Sequence, residues 1–285
     1  MERIGILGGS GLYKFEGVNI KKKLKINTPF GKPSDEILIL EIDNREVVFL
    51  PRHGKNHNLS PSNINYRANI YAMKKLNVGW IISVSACGSL KEEIRPLDFV
   101  LPLQFFDRTK GIRKDTFFDS DLVVHISFDE PICKNLAEYL YSAIKKLNLN
   151  VHFGGTYVNI EGPQFSTLAE SNLYRSFGMD IIGMTNLTEA KLAKEAEICY
   201  ATLASVTDYD CWHTKEKVSV DVILSNLKKN VENSKNILKE VISIIPEKRD
   251  CNCKDSLKYA IVTQQSKIPK KTKDKLKLLL NKYIR

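Results

Sequence analysis

Two groups of residues in this sequence have the types and spacing to do chemistry. Arg52-His-Gly-Lys-Asn-His57 gathers a guanidinium and two imidazoles into six residues of loop. Arg52 offers a planar fork of donors suited to an oxyanion, with His53 adjacent and His57 just beyond a glycine. No carboxylate stands beside the two histidines to complete a three-ligand metal site, so anion binding is the better reading. The second group is Asp208 and Asp210 in Ser205-Val-Thr-Asp-Tyr-Asp-Cys-Trp212. Ile198 to Val206 reads as a buried strand, which puts both carboxylates at its carboxyl end, the edge of an α/β sheet where ligand crevices lie. Shielded from water there, a carboxylate has its charged form disfavoured and can hold a proton near neutral pH. That suits a reaction whose leaving group departs as an anion. On spacing alone, Asp208 could equally cap a turn before Trp212.

Other strand ends carry compatible groups. A first strand over 3–7 ends in Gly8-Gly-Ser-Gly11, whose amides and Ser10 hydroxyl suit a phosphate-sized anion; a plain glycine turn is the alternative. The residues that follow do not continue as a helix, so a dinucleotide-loop reading fails. Trp80–Val84 is a buried strand leading to Ser85-Ala-Cys-Gly-Ser89, a small-residue loop whose N–H groups can face a ligand. Nothing marks Cys87 as a nucleophile. A strand over 155–160 ends in Glu161-Gly-Pro-Gln-Phe-Ser166, and Thr167 with Glu170 forms a capping box for a helix to Phe177. Phe165 and Ser166 could clamp a planar ring at that junction, or Phe165 could be core filler. Asp180–Met184 is a strand followed by Thr185. Ser10, Arg52, His53, Ser85, Ala86 and Thr185 thus suit a phosphate. Phe165, Ser166, Asp208 and Asp210 suit a flat heterocycle, with Met184 between the two sets.

The elements that must position these groups alternate. A hairpin spans 36–42 and 46–50, helices span 61–76, 131–147 and 188–197, and a strand spans 96–101; residues 105–128, with His125, are irregular. A long amphipathic helix over 219–245 turns Ile223, Leu227, Val231, Leu238, Val241 and Ile245 inward. A last helix over 270–285 has Leu276, Leu279, Leu280 and Tyr283 on one stripe. The pattern predicts a single α/β domain with a central, mostly parallel or mixed sheet flanked by helices. That domain occupies 1–247, and 248–285 form a basic extension whose helix packs on it.

The 285 residues carry a net charge of +10, but Lys254–Arg285 hold ten Lys and Arg against Asp255 and Asp274, leaving the body close to neutral. A nucleic-acid role therefore has support only in the tail. There is no apolar run of about 18 residues and no signal-like start, so the expected setting is cytoplasmic and away from membranes. Six cysteines would ordinarily be free thiols there, although the Lys, Glu and Ile content also suits a heat-adapted source in which intracellular disulfides occur. Cys251-Asn-Cys253 reads as half a metal site, a tight disulfide or two idle thiols. No second Cys or His pair at zinc spacing accompanies it, so metal is the weakest of the three.

Gly5-Ile-Leu-Gly-Gly-Ser-Gly-Leu12, Arg52–His57, Ser85–Leu90 with Glu92-Glu-Ile94, Ile160–Ser166, Met184-Thr185, Ala190–Ala196 and Thr207–Trp212 follow one another in order. Together they make a chain that resembles the 5'-methylthioadenosine phosphorylases, of the trimeric-type purine nucleoside phosphorylase group, over roughly residues 1–245. Any one motif would be weak; the ordered set is specific. The resemblance implies the nucleoside phosphorylase fold and attack of phosphate on C1' of methylthioadenosine, releasing adenine and 5-methylthioribose 1-phosphate. It implies no metal and no cofactor beyond inorganic phosphate as co-substrate. Phosphate would lie on Ser10, Arg52, His53, Ser85, Ala86 and Thr185, and ribose on Met184. Ser166 with Asp208-Tyr209-Asp210 would read a 6-amino purine. Val218, Val220, Ile223 and Leu224 would wall the methylthio group, with His57 at the border. His125 resembles a histidine that members insert from a neighbouring subunit, which implies a trimer or a pair of trimers. The chain departs from the pattern in having Gly183-Met-Thr-Asn-Leu-Thr-Glu189 where members show Asn-Met-Thr-x-x-Pro-Glu. Cys133, Cys199, Cys211, Cys251 and Cys253 also lie beyond the core pattern. Thermophilic relatives carry disulfides, a Cys-x-Cys pair among them, which suggests Cys133–Cys199 and Cys251–Cys253 bridges. The rival activities are an inosine-preferring phosphorylase and a hydrolase, the latter opposed by Arg52 and His53.

Overall fold

Three nearly continuous apolar runs become Arg3–Gly8 (β1), Val78–Ser89 (β5) and Cys199–Tyr209 (β11). Strands covered on both faces need apolar residues on both, and these three lie side by side, parallel, at the heart of the molecule. The computed structural model describes residues 2–9, 12, 18–213 and 220–284, the side chains of 220 and 222 excepted. Ser10, Val218 and the Val220 side chain therefore lie outside what is described.

The described residues form one mixed sheet of eleven strands. The remaining strands are Asn19–Leu24 (β2), Ile37–Ile42 (β3), Arg45–Pro51 (β4), Phe99–Leu101 (β6), Gln104–Arg108 (β7), Val151–Phe153 (β8), Thr156–Ile160 (β9) and Ile181–Gly183 (β10). Their order is β2-β3-β4-β1-β5-β10-β9-β7, with β11 on the other edge of β5, β6 on β11 and β8 on β6. Helices Tyr66–Lys75 (α1), Lys134–Lys146 (α2), Leu168–Ser176 (α3), Asn186–Glu195 (α4), Val220–Ile244 (α5) and Lys270–Leu280 (α6) flank it. Leu276, Leu279 and Leu280 of α6 are buried in the main apolar core together with Ile237 and Val241 of α5.

The departures from sequence expectation have local causes. Asn19–Leu24 is a strand despite three lysines, because it is an exposed edge, where lysine is well suited. Ser85–Ser89 is not a loop: β11 runs beside β5 along its whole length and keeps it extended. The same pairing draws Asp208 into β11, after a register shift between Val206 and Asp208. Helix α1 begins at Tyr66 rather than near Pro61, since the Asn65 side chain caps it by accepting from Ala68 N–H. The Thr167–Glu170 capping box forms as expected.

The suggested disulfides are absent, and all six cysteines are free thiols. Cys133, Cys199, Cys251 and Cys253 instead converge, their sulfurs within 4.8 Å of one another. Cys251 lies 3.1 Å from Cys199 and 3.8 Å from Cys133.

Candidate active site

Strand β5 creates the site by what it leaves unpaired. On one edge it follows β1 as far as Leu7↔Ser83, then meets β10 only at Ile182↔Gly88. Between these, the edge of 84–87 pairs with no strand among the described residues, while β11 covers the opposite edge. Ser85 and Ala86 fall in that opening. Because β10 runs antiparallel to β5, the chain leaving it carries Met184 and Thr185 back along the open edge.

Arg52 fills one end. It follows β4, donates its backbone N–H to Gly8 O, and is 1 % exposed. Its Nε donates to Glu189 Oε1 (2.6 Å), Nη1 to Val84 O (2.7 Å), and Nη2 to Ser83 Oγ (2.6 Å) and Leu7 O (3.0 Å). The fork expected to face an oxyanion is thus largely turned inward, because a buried guanidinium needs a counter-charge. Burial would pull its pKa down, but Glu189 outweighs that and leaves it raised. Gly9 is obligatory beside it: a Cβ there would lie 2.8 Å from Val84 O and 2.9 Å from Arg52 Nη1.

His53 is buried with Nδ1 2.8 Å from Leu59 O. A carbonyl only accepts, so Nδ1 carries the proton and Nε2 keeps a lone pair. Burial, with the Arg52 charge adding, lowers its pKa to about 4, so the ring is neutral at physiological pH. His57 is exposed, with left-handed backbone (φ 51°), and stacks on His53 at 4.4 Å.

Thr185 is the buried N-cap residue of α4. The next residue, Asn186, donates to Ser83 Oγ (3.1 Å) and Thr202 Oγ1 (3.2 Å) and accepts from Tyr157 OH (3.0 Å). Met184 O accepts from Asn159 (3.1 Å) and from Arg113, which is itself paired with buried Glu161 at 2.9 Å. Gly162, at φ 69°, lies under Met184; a Cβ would come 2.5 Å from its sulfur.

The other end of the opening holds the acids. Asp208 pairs with Gly88 across the strands, four residues and roughly 13 Å beyond Val84 at the usual strand rise. Thr207 Oγ1 lies 2.6 Å from Asp208 Oδ2. Burial raises the Asp208 pKa; the Thr207 hydroxyl pulls it back and the Asp210 charge raises it further. Asp208 is half-buried and Asp210 is buried, and burial raises the Asp210 pKa likewise. Ser166 joins this end: its carbonyl accepts from Cys211 Sγ, and its own hydroxyl is buried with no partner among the described residues. Such a hydroxyl costs free energy unless a ligand completes it. On α5, Asn226 and Asn230 donate to Thr207 O (2.9 Å) and Val206 O (2.8 Å), and half-buried Ile223 lies one helical turn before Asn226.

Four residues expected at the site are exposed or face outward in this chain. Phe165 is 79 % exposed, and Pro163 and Gln164 before it are exposed too. Leu224 is 56 % exposed, being one residue round the helix from Ile223. Tyr209 turns outward, its hydroxyl on Glu92 O (3.1 Å) and its ring on His213 at 4.5 Å. These residues line an open cavity of about 490 Å³ with Glu93 and Arg95. His125 is exposed, its N–H bonded to Ala260 O in the extension.

Sequence reasoning missed Glu189, Ser83, Asn186, Asn159 and the Arg113–Glu161 pair. Glu189 had a signal, an acid in the first turn of a short helix among apolar residues. Arg113, on an irregular stretch, had none.

A family model described as Phosphorylase superfamily matches residues 3–243. The S-methyl-5'-thioadenosine phosphorylase of Geobacter sulfurreducens is 52 % identical, with 99 % of each chain covered. Among solved structures, a methylthioadenosine phosphorylase from an antarctic soil metagenomic library superposes with TM-score 0.93 at 47 % identity, covering 98 % of this chain and 99 % of that one. The Schistosoma mansoni methylthioadenosine phosphorylase in complex with adenine does so with TM-score 0.84 at 36 % identity, covering 90 % and 96 %. With a buried arginine at one end of the opening along β5 and the acids Asp208 and Asp210 at the other, this chain belongs to the phosphorylase superfamily and, within it, to the S-methyl-5'-thioadenosine phosphorylases.

Proposed function

We propose that the chain is a pentosyltransferase catalysing reversible phosphorolysis of S-methyl-5'-thioadenosine to adenine and 5-methylthioribose 1-phosphate. The observation that carries the reading is the pairing, along one open edge of β5, of an anion end at Arg52 and His53 with the Asp208 carboxyl, its pKa raised by burial, roughly 13 Å away. A nucleoside fits between them.

In this reading phosphate lies on Ser10, His53, Ser85, Thr185, the Ala86 amide and the outward side of Arg52. Neutral His53 accepts from the phosphate hydroxyl through Nε2. The C1'–N9 bond breaks as phosphate approaches, leaving positive charge on the sugar and negative charge on the base. Met184 packs on the ribose, and protonated Asp208 donates to N7 of the departing purine. Asp210 accepts from the 6-amino group, Ser166 completes its hydroxyl on the purine, and Ile223 lines the apolar end. Inorganic phosphate is the co-substrate and no cofactor takes part.

The active form is a homo-oligomer, a trimer or a pair of trimers, in the cytoplasm. Exposed Phe165, Leu168, Leu173 and Phe177 support a subunit contact on and beside α3, and exposed His125 suits a crossing residue. Among the described residues no helix is long and apolar enough to cross a membrane. The test is adenine release from methylthioadenosine with and without phosphate, and with inosine as competing substrate. Phosphate-dependent release is expected; equal release in water alone, or preference for inosine, overturns the reading.

A further inference from the structure

Four sulfurs meet at one point although they come from three distant parts of the chain. Cys133 precedes α2, its N–H on Tyr200 O at 2.9 Å. Cys199 is the first residue of β11, and Cys251 and Cys253 belong to the C-terminal extension. Cys133 and Cys199 are buried, and the other two are half-buried. All four lie within 4.8 Å of one another, with separations of 3.1 Å for Cys199–Cys251 and 3.8 Å for Cys133–Cys251. Sulfurs at the corners of a tetrathiolate tetrahedron, with metal–sulfur bonds of about 2.3 Å, stand about 3.8 Å apart. The surroundings suit a negative centre. Arg249, held by Glu2 at 2.5 and 2.7 Å and by Glu197 O at 2.6 Å, lies beside Cys199.

We propose that Cys133, Cys199, Cys251 and Cys253 form a closed structural site for a soft divalent cation of the zinc class, clamping the extension to β11 and α2. Thiolate donors select such ions, and a site whose four positions are all protein sulfur has none open for water or substrate. Cys-x-Cys is tighter than the usual two-residue spacing, and the second pair is scattered at 133 and 199, which is why the site escaped the sequence. Loading takes up one dication and releases four thiol protons, leaving a dianionic centre faced by Arg249. All of β11, roughly 30 Å, separates it from Asp208, so it holds structure and takes no part in turnover.

The full chain, purified under reductant from zinc-supplemented culture and dialysed, is assayed for metal by mass spectrometry. One zinc per chain is expected, lost in Cys253→Ser. Cobalt(II) loaded into the wild type should give thiolate-to-metal charge transfer and tetrahedral d–d bands, and chelation in mild denaturant should expose four additional titratable thiols. Should Cys253→Ser fail to fold, the wild-type zinc content and cobalt spectrum still decide. Metal-free protein with the four thiols already reactive, or an intact mass four hydrogens light from two disulfides, overturns the proposal.

Discussion

At Asp208 two influences oppose each other: burial favours the acid, and the Thr207 hydroxyl favours the carboxylate. In the reading given above, only the acid is competent, so activity should fall as pH rises through the raised pKa of this group. Thr207→Val removes the hydrogen bond that lowers that pKa. The alkaline limb of the pH–kcat profile should therefore move to higher pH; a limb that stays in place assigns it to another group. Removing a preorganised donor commonly costs about 2.7–4 kcal/mol of barrier. Asp208→Ala should accordingly lower kcat by a hundredfold or more, with circular dichroism and Tm close to wild type. His53, by contrast, should show no change of charge between pH 6 and 8, since its pKa is lowered to about 4.

Single elements are held by carboxylates that the sequence disguised. Glu189, on α4, binds Arg52 after β4, Ser83 of β5 (2.6 Å) and Tyr200 of β11 (2.9 Å). Glu189→Ala leaves a buried cation unpaired, for which about 3–5 kcal/mol of stability is the expected loss, with a raised KM for phosphate. Glu195, at the end of α4, receives Thr116 Oγ1 (2.6 Å) and Phe117 N–H (2.7 Å), yet burial lifts its pKa from 4.5 to about 7. Its folded form holds the proton longer than its unfolded form, so stability is full below about pH 4.5 and falls as pH rises to about 7. Glu195→Gln should flatten that part of the Tm–pH curve, worth up to about 3 kcal/mol. The buried strands, the capping box of α3 and the acids on β11 were legible because period and composition are local. Arg52's partner, the open edge of β5 and the cysteine cluster were not. Each depends on residues far apart in the chain, 137 positions for Arg52 and Glu189 and 118 for Cys133 and Cys251, and only pairing in three dimensions brings them together.

Across the whole molecule, the basic extension is part of the fold. Leu257, Leu276, Leu279 and Leu280 are buried in the main core, and Arg249 ties the extension to Glu2 near the chain's start. Truncation after residue 247 should therefore give insoluble protein or a Tm lowered by well over 10 °C, at the 2–4 °C per kcal/mol typical of this size. A soluble, fully active truncation would show instead that the extension is an appendage. At the far side of the core, Glu189 cancels the charge of Arg52 while His53 stays neutral. The anion end of the cleft thus offers aimed dipoles rather than surplus positive charge. In the proposed reaction an incoming dianion would be gripped by direction, and a sugar phosphate made there would depart without climbing out of an electrostatic well, leaving traffic open both ways.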